Sequence, residues 1–262
     1  LGRIFILFAG PFFNFALAFF IFIALGHIGV ERLAPTVGKV LENSAAASAG
    51  VQKGDKILNI NGIKISEWDE ISKNVNLTST AITLERAGEI KTINLTPKIG
   101  QSVTIFGEKI EKPLIGISPS GEAVTIRNTG FSSLKFALVE TVNASKLIFT
   151  GLEKLIAGVV PLKEMGGIIQ ITDITSKAAG IGLSTLLIIA ALISVNLGVL
   201  NLLPIPALDG GHIFFNLYEL IFRREMNEKV YIGFTYCGWA FLLCLMAFAT
   251  FNDVMRLSGA GQ

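Results

Sequence analysis

The sequence predicts an α-helical membrane protein with three transmembrane helices and an inserted β-rich domain. Three observations lead there. First, 51% of residues are hydrophobic, 19 of them Phe, and only 16% are charged, against about 25% in ordinary soluble domains. Second, the mean hydropathy is +0.61. Third, residues 4–29, 183–203 and 230–251 are three mostly apolar windows without an Asp, Glu, Lys or Arg, each of about the twenty residues needed to cross a ~30 Å hydrocarbon core. The net charge of +2 is close to balance and points to no polyanionic partner, so to no nucleic acid.

The first window follows Arg3 but is too long for the h-region of a signal peptide, about 7–15 residues, and no clean small-x-small site follows it. The chain starts at Leu1 rather than Met, so it reads as a piece of a longer protein. Arg3, and Arg223, Arg224 and Lys229 in the short segment "FRREMNEK", mark cytoplasmic ends by the excess of cations in short inner loops. The three helices then run outward, inward and outward, with residues 31–181 on the outer side.

From Thr36 to Thr96 the pattern changes to short strands. "TVGKVLENS" alternates, "AAASAG" has the composition of a short helix, and Asn61-Gly62 between apolar runs is a strong hairpin signal. "SEWDEISKNV" reads as a helix with Ser66 as N-cap, and "AITLERAGEIKTINLTP" as a hairpin turning at Ala87-Gly88. The run "NSAAASAGVQKGDKILNINGIKISEWDEI" resembles a PDZ domain in the circularly permuted bacterial order. The resemblance implies a peptide added to a sheet edge, with a spacer or steric filter as the alternative; the groove residues are not identified.

Residues 99–131 read as an irregular extension of that domain. Residues 132–159 read as an amphipathic helix with Leu134, Leu138, Val142, Leu147 and Leu155 on its apolar side, lying on the outer membrane surface or packed on the β-rich domain. "MGGIIQITDITSKAAG" reads as a Gly-rich connector. The expected organisation is therefore 1–30, 31–98 (PDZ), 99–131, 132–181, 182–229 and 230–262. Cys237 and Cys244 stand seven apart in the last window, about 10 Å along a helix axis and beyond disulfide reach of about 7 Å. They read as apolar packing residues.

The chemistry is expected in "NLLPIPALDGGHI". Pro204 and Pro206 stop the second apolar helix near Leu203, leaving 204–211 as a loop that presents Asp209 ahead of a helix from His212 to Phe222. A carboxylate at the edge of lipid is costly and usually functional; an N-cap is the structural alternative. "SVNLGVLNLLPIPALDGGHIFF" resembles the Asn-x-x-Pro-x-x-x-Leu-Asp-Gly motif of the site-2 protease family of intramembrane zinc metalloproteases, in the branch of the bacterial sigma-E regulators. "AGPFFNF" and "FNDVMRL" agree in position, so the resemblance covers nearly the whole chain.

The resemblance implies a zinc-dependent intramembrane protease acting on transmembrane segments such as those of anti-sigma factors, in the bacterial inner membrane with the PDZ domain periplasmic. It makes Asp209 the third zinc ligand, beside two histidines and a general-base Glu of H-E-x-x-H. It gives Asn201, Pro204 and Pro206 the task of holding the substrate as an extended strand. Neither His27 nor His212 stands in H-E-x-x-H, so one of three ligands is expected here, the first transmembrane helix is absent, and this chain alone is expected to be inactive. A single PDZ domain, where such proteins often have two, is the other departure. His212 and His27 read as packing or interfacial residues, and Asn14 and Asn196 as structural ones. A catalytically inactive PDZ-containing membrane adaptor is the alternative; an ion transporter lacks the internal repeat it would need.

Overall fold

A long helix, α1 (Gly2–Ile28), opens the chain. In the computed structural model, which describes residues 2–223 and 227–258, Gly29–Arg127 form one compact unit and the segments on either side of it form another. Arg224, one of the orientation cations, lies outside the described residues.

The β-rich unit begins with β1 (Val30–Leu33), β2 (Val37–Val40) and the short helix α2 (Ala45–Ser48), capped by the Ser44 hydroxyl. There follow β3 (Lys56–Ile60), β4 (Ile63–Lys64), α3 (Trp68–Asn74), β5 (Thr80–Arg86) and β6 (Glu89–Leu95). These strands make an antiparallel sheet in the order β4-β3-β5-β6. Asn61 and Gly62 both have positive φ, 51° and 85°, as a two-residue primed turn requires. β5 alternates by the period of two, turning Thr80, Ile82 and Leu84 inward. Ile57, Ile60, Ile71 and Val75 join Ile82 in one core. The helix α3 starts one residue later than its sequence suggested: Glu67 is the N-cap, and the Glu70 carboxylate accepts from the amides of Ser66 at 2.7 Å and Glu67 at 3.4 Å. The Glu70 carboxylate, at the third helical position, thereby serves the N-cap amide as the acid of a capping box does.

Residues 99–131 are more regular than expected. β7 (Lys98–Val103) and β8 (Lys109–Leu114) form a hairpin, β9 (Ile117–Pro119) pairs with β2, and β10 (Ala123–Ile126) pairs with β1. The last two pairings close the unit with strands from opposite ends of its sequence, which is why short β-like pieces there looked irregular.

The helical unit adds α4 (Phe131–Ile156), a 3₁₀ turn (Leu162–Glu164), α5 (Ile168–Ile181), α6 (Leu183–Leu202), α7 (Asp209–Phe222) and α8 (Glu228–Leu257). Within α1, α6 and α8, Phe5–Ile28, Leu183–Leu202 and Glu228–Leu257 are long and apolar enough to cross a bilayer. The Gly-rich connector is largely helical, as α5. Helices α1 and α6 meet along small residues: Ala18, Ala191, Ser194 and Gly198 are buried, the Ser194 hydroxyl donates to the Asn14 carbonyl at 2.8 Å, and Gly198 lies under the Phe15 ring. Small side chains let apolar helices approach closely where lipid gives no hydrophobic drive.

α4 packs against α1 and α6. Its buried residues are Ser133, Ala137, Thr141 and Ala144, one small-residue stripe, while Leu134 and Leu138 are 44% and 59% exposed. The leucine side points away from the helical unit's own interior.

Candidate functional site

The motif loop is built from two prolines and two glycines. α6 ends at Leu202, and the Leu203 amide still reaches the Leu200 carbonyl at 3.0 Å. Pro204 and Pro206 have no N–H to continue the ladder. The chain makes two tight turns instead, with Ile205 N–H on Leu203 O at 2.7 Å and Leu208 N–H on Ile205 O at 2.9 Å. Helix α7 then starts at Asp209, three residues before the expected start at His212. The reason lies in Gly210 and Gly211: a Cβ on either would collide with the backbone of Leu202–Leu203 or of Ile205–Pro206. These glycines let the first turn of α7 lie directly on the loop.

Asp209 is therefore in the first turn of α7 and not its N-cap, which is Leu208. Its half-buried carboxylate faces Gly10 of α1, where a Cβ built on Gly10 would stand 2.6 Å from Oδ2. Among the described residues no hydrogen-bond donor or cation meets this carboxylate. Pro11, beside Gly10, is fully buried, and its ring nitrogen cannot serve the Leu7 carbonyl one turn back. Of the residues expected to hold substrate, Asn201 is half-buried on the last turn of α6, Pro204 is exposed, and Pro206 is half-buried where Gly238 of α8 comes against Pro206 and Ala207. Asp209 and Pro206 thus belong to one turn braced by α1 and α8.

His212, one helical turn after Asp209, has its Nδ1 2.7 Å from the Tyr231 hydroxyl of α8. Tyr231 in turn packs edge-on against Phe215, ring centres 5.3 Å apart. His27 Nδ1 lies 2.9 Å from the Ile23 carbonyl and 3.1 Å from the Ser133 hydroxyl, tying α1 to α4. Cys237 and Cys244 are free and exposed, not buried as packing residues would be. Asn196 is half-buried in α6.

The sequence reading quoted Asp253 only within "FNDVMRL" and gave it no role, because its last apolar window stopped at Phe251. Helix α8 continues to Leu257, and Asp253 is only 2% exposed. Its carboxylate accepts from the amides of Gly167, Ile169 and Gln170 at 3.0–3.1 Å, capping α5 from another helix. Asn252 donates to the Leu162 carbonyl at 3.1 Å. A second acid in an otherwise apolar helix was the available signal. Gly10 was marked only as part of "AGPFFNF", with no role, and Gly238 and Tyr231 carried no signal.

Among the described residues no three His, Cys, Asp or Glu side chains gather as a metal group. Catalytic zinc takes three protein ligands and a water. Asp209 offers a carboxylate, one of the donor types zinc accepts, against Gly10, and His212, one turn on, has its Nδ1 on the Tyr231 hydroxyl.

In the β-rich unit, Asp55 is fully buried and forms a fork with Arg86, Oδ1 to Nε and Oδ2 to Nη2 both at 2.7 Å. Burial pushes its carboxyl upward, but the Arg86 hydrogen bond, the Gln52 amide and the Arg86 charge outweigh it and hold the group below its ordinary range. The same unit has a cavity of about 200 Å³ between Trp68, Ile71 and Val75 on one side and Leu114, Ile115 and Ile117 on the other.

The family model "Peptidase family M50" matches residues 1–245. Cj1068 of Campylobacter jejuni, provisionally named a zinc metalloprotease, is 52% identical over 259 residues, which are 99% of this chain and 70% of that protein. Zinc metalloprotease RasP of Bacillus licheniformis is 33% identical over 250 residues, 95% of this chain and 58% of that protein. This chain therefore spans only part of the length of each. The solved PDZ domain of the SdrC-like protein of Listeria monocytogenes aligns with 32% of this chain and 84% of its own at 19% identity, with a TM-score of 0.24, too low to decide the fold of the β-rich unit.

Proposed function

Because the chain belongs to peptidase family M50, the site-2 protease family, we propose that it serves an intramembrane zinc endopeptidase and contributes Asp209 as a zinc ligand. One observation carries this: a carboxylate with no partner among the described residues stands at the break after a helix long enough to cross a bilayer, against Gly10 of another such helix. An acid in that setting is expensive to keep and marks function. A bound zinc supplies Lewis-acid activation of water and of the scissile carbonyl.

This chain's own residues would do three things. Asp209 presents its carboxyl group at the loop. Pro204 and Pro206 keep the backbone there non-helical, and irregular backbone at membrane depth is tolerated where it lines a cavity. Such a loop can receive a substrate strand whose peptide bonds a helix would hide, with Asn201 beside it as an amide partner. The substrate class is a transmembrane segment, such as that of an anti-sigma factor. The β-rich unit is a PDZ domain on the periplasmic side of a bacterial inner membrane, and its cavity beside α3 is the groove for an extended peptide.

The test uses the protein expressed from its full reading frame, reconstituted with a single-span substrate. Asp209→Ala is expected to abolish cleavage and to lower bound zinc; cleavage and zinc at unaltered levels would refute the assignment. Reading the frame upstream separates this proposal from an inactive adaptor, since H-E-x-x-H ahead of Leu1 is required by the first and unnecessary for the second.

A further inference from the structure

Gly10 has no side chain at the point where the Asp209 carboxylate lies. A Cβ there would stand 2.6 Å from Oδ2 and 3.6 Å from Cγ, and it would touch nothing else within 4 Å. The space over Gly10 is therefore shaped by one group only. Most other glycines of this unit that lack space meet backbone, rings or several groups: Gly210 and Gly211 the motif loop, Gly238 Ala207 and Pro206, Gly198 Phe15, Gly26 Phe136 and Ser133; Gly166 meets the side chain of Gln170, four residues on in its own segment. Gly167 meets the Asp253 carboxylate, but it is also held against the Ala249 backbone. Gly10 faces a carboxylate and nothing more. Pro11, buried beside it, restricts the backbone of this step of α1.

We propose that Gly10 is a positioning residue for Asp209: its missing side chain is the seat that sets where the carboxylate stands, so α1 determines the metal-facing geometry of a motif carried by α7. The proposal rests on the reading of Asp209 as a zinc ligand. The effect is steric. A methyl group at position 10 meets the end of one side chain, which can swing about its own χ angles into another well. The helices need not separate, so the fold keeps its stability while the carboxylate leaves its place. A ligand moved by about an ångström is a poorer ligand, and loss of the groups that orient metal ligands typically lowers affinity by about 10–100-fold.

The experiment compares Gly10→Ala, Asp209→Asn, the double variant and Gly233→Ala in the full-length protein in detergent. Gly233 is a glycine of α8 with open space around its Cβ position and controls for the glycine-to-alanine change itself. Two quantities are read: zinc retained per chain under a graded chelator challenge, and the thermal unfolding midpoint of the chelator-treated protein. Gly10→Ala is expected to lower zinc affinity at least about tenfold with the zinc-free midpoint unchanged. Gly233→Ala is expected to match the parent, and the double variant to be no worse than Asp209→Asn.

Parent-like zinc retention in Gly10→Ala, with loss in Asp209→Asn, overturns the seat and leaves the ligand assignment standing. Retention in Asp209→Asn overturns the assignment on which the seat rests. A drop in the zinc-free midpoint on Gly10→Ala overturns it also, since the glycine then serves helix packing rather than the carboxylate.

Discussion

At the scale of single residues, the helical unit shows how little chemistry is needed to place a group. Asp209 is positioned by absences: no proton on two proline nitrogens, no Cβ on Gly10, Gly210 or Gly211. His212 is positioned by one bond, to Tyr231. Tyr231→Phe keeps the ring against Phe215 and removes only the hydroxyl, so unfolding should be easier by about 1 kcal/mol, measured as a shift in the denaturation midpoint, with the fold intact. Asp55 gives a pH prediction in the β-rich unit. Its folded-state pKa is depressed below the ordinary 3.8. The stability it contributes is therefore fully present above that value and is lost as pH falls through the lower, folded pKa. Fluorescence of Trp68, followed with Trp239 replaced by Phe, should report a unit indifferent to pH between about 5 and 8 and weakening below about 4. In Asp55→Asn that acid dependence should shrink.

At the scale of elements, two junctions are open to test. Gly210→Ala sets a methyl group against the backbone of Leu202 and Leu203, atoms that cannot swing aside. It should cost about 1–3 kcal/mol and lower the unfolding midpoint, in contrast to Gly10→Ala. Asp253→Ala removes the acceptor for three amides at the start of α5. Hydrogen exchange at Gly167, Ile169 and Gln170 should accelerate, while the amides of α6 stay protected. Legibility in the sequence differed between these elements. The Asn61-Gly62 hairpin and the end of α6 were plain, because turn stereochemistry and proline act within a few residues. The start of α7 was misread by one turn, because Gly210 and Gly211 were taken as loop formers. In fact they are helical residues that need closeness to a neighbour. On α4 the side packed against α1 and α6 is the small-residue side, which a helix with an apolar environment outside can use and which the leucine pattern does not mark.

At the scale of the whole molecule, three apolar helices and a β-rich unit agree with the architecture the sequence suggested, and membership of peptidase family M50 agrees with the motif resemblance. The orientation is a prediction. Cysteines introduced singly at Ser120 in the β-rich unit and at Asn227 between α7 and α8, in a protein with Cys237 and Cys244 replaced by Ser, should label differently in intact cells. An impermeant maleimide should reach position 120 once the outer membrane is opened, and position 227 only after the inner membrane is disrupted. Labelling in the reverse order would invert the proposed topology.

What the sequence determined by itself is local in origin. Window length and apolarity specify helices fit for a bilayer, and proline specifies where α6 stops. Both follow from stereochemistry or solvation within one stretch of chain. The motif of Asn201, Pro204, Pro206 and Asp209 is different in kind and was legible only by its resemblance to the family. Only the tertiary structure decided that β9 and β10 return to β2 and β1, that Asp253 caps α5, that Tyr231 holds His212, and that Gly10 faces Asp209. These pairings join residues distant in sequence, and a glycine looks alike wherever it stands. Its meaning comes from the atom that occupies the space its side chain would have filled.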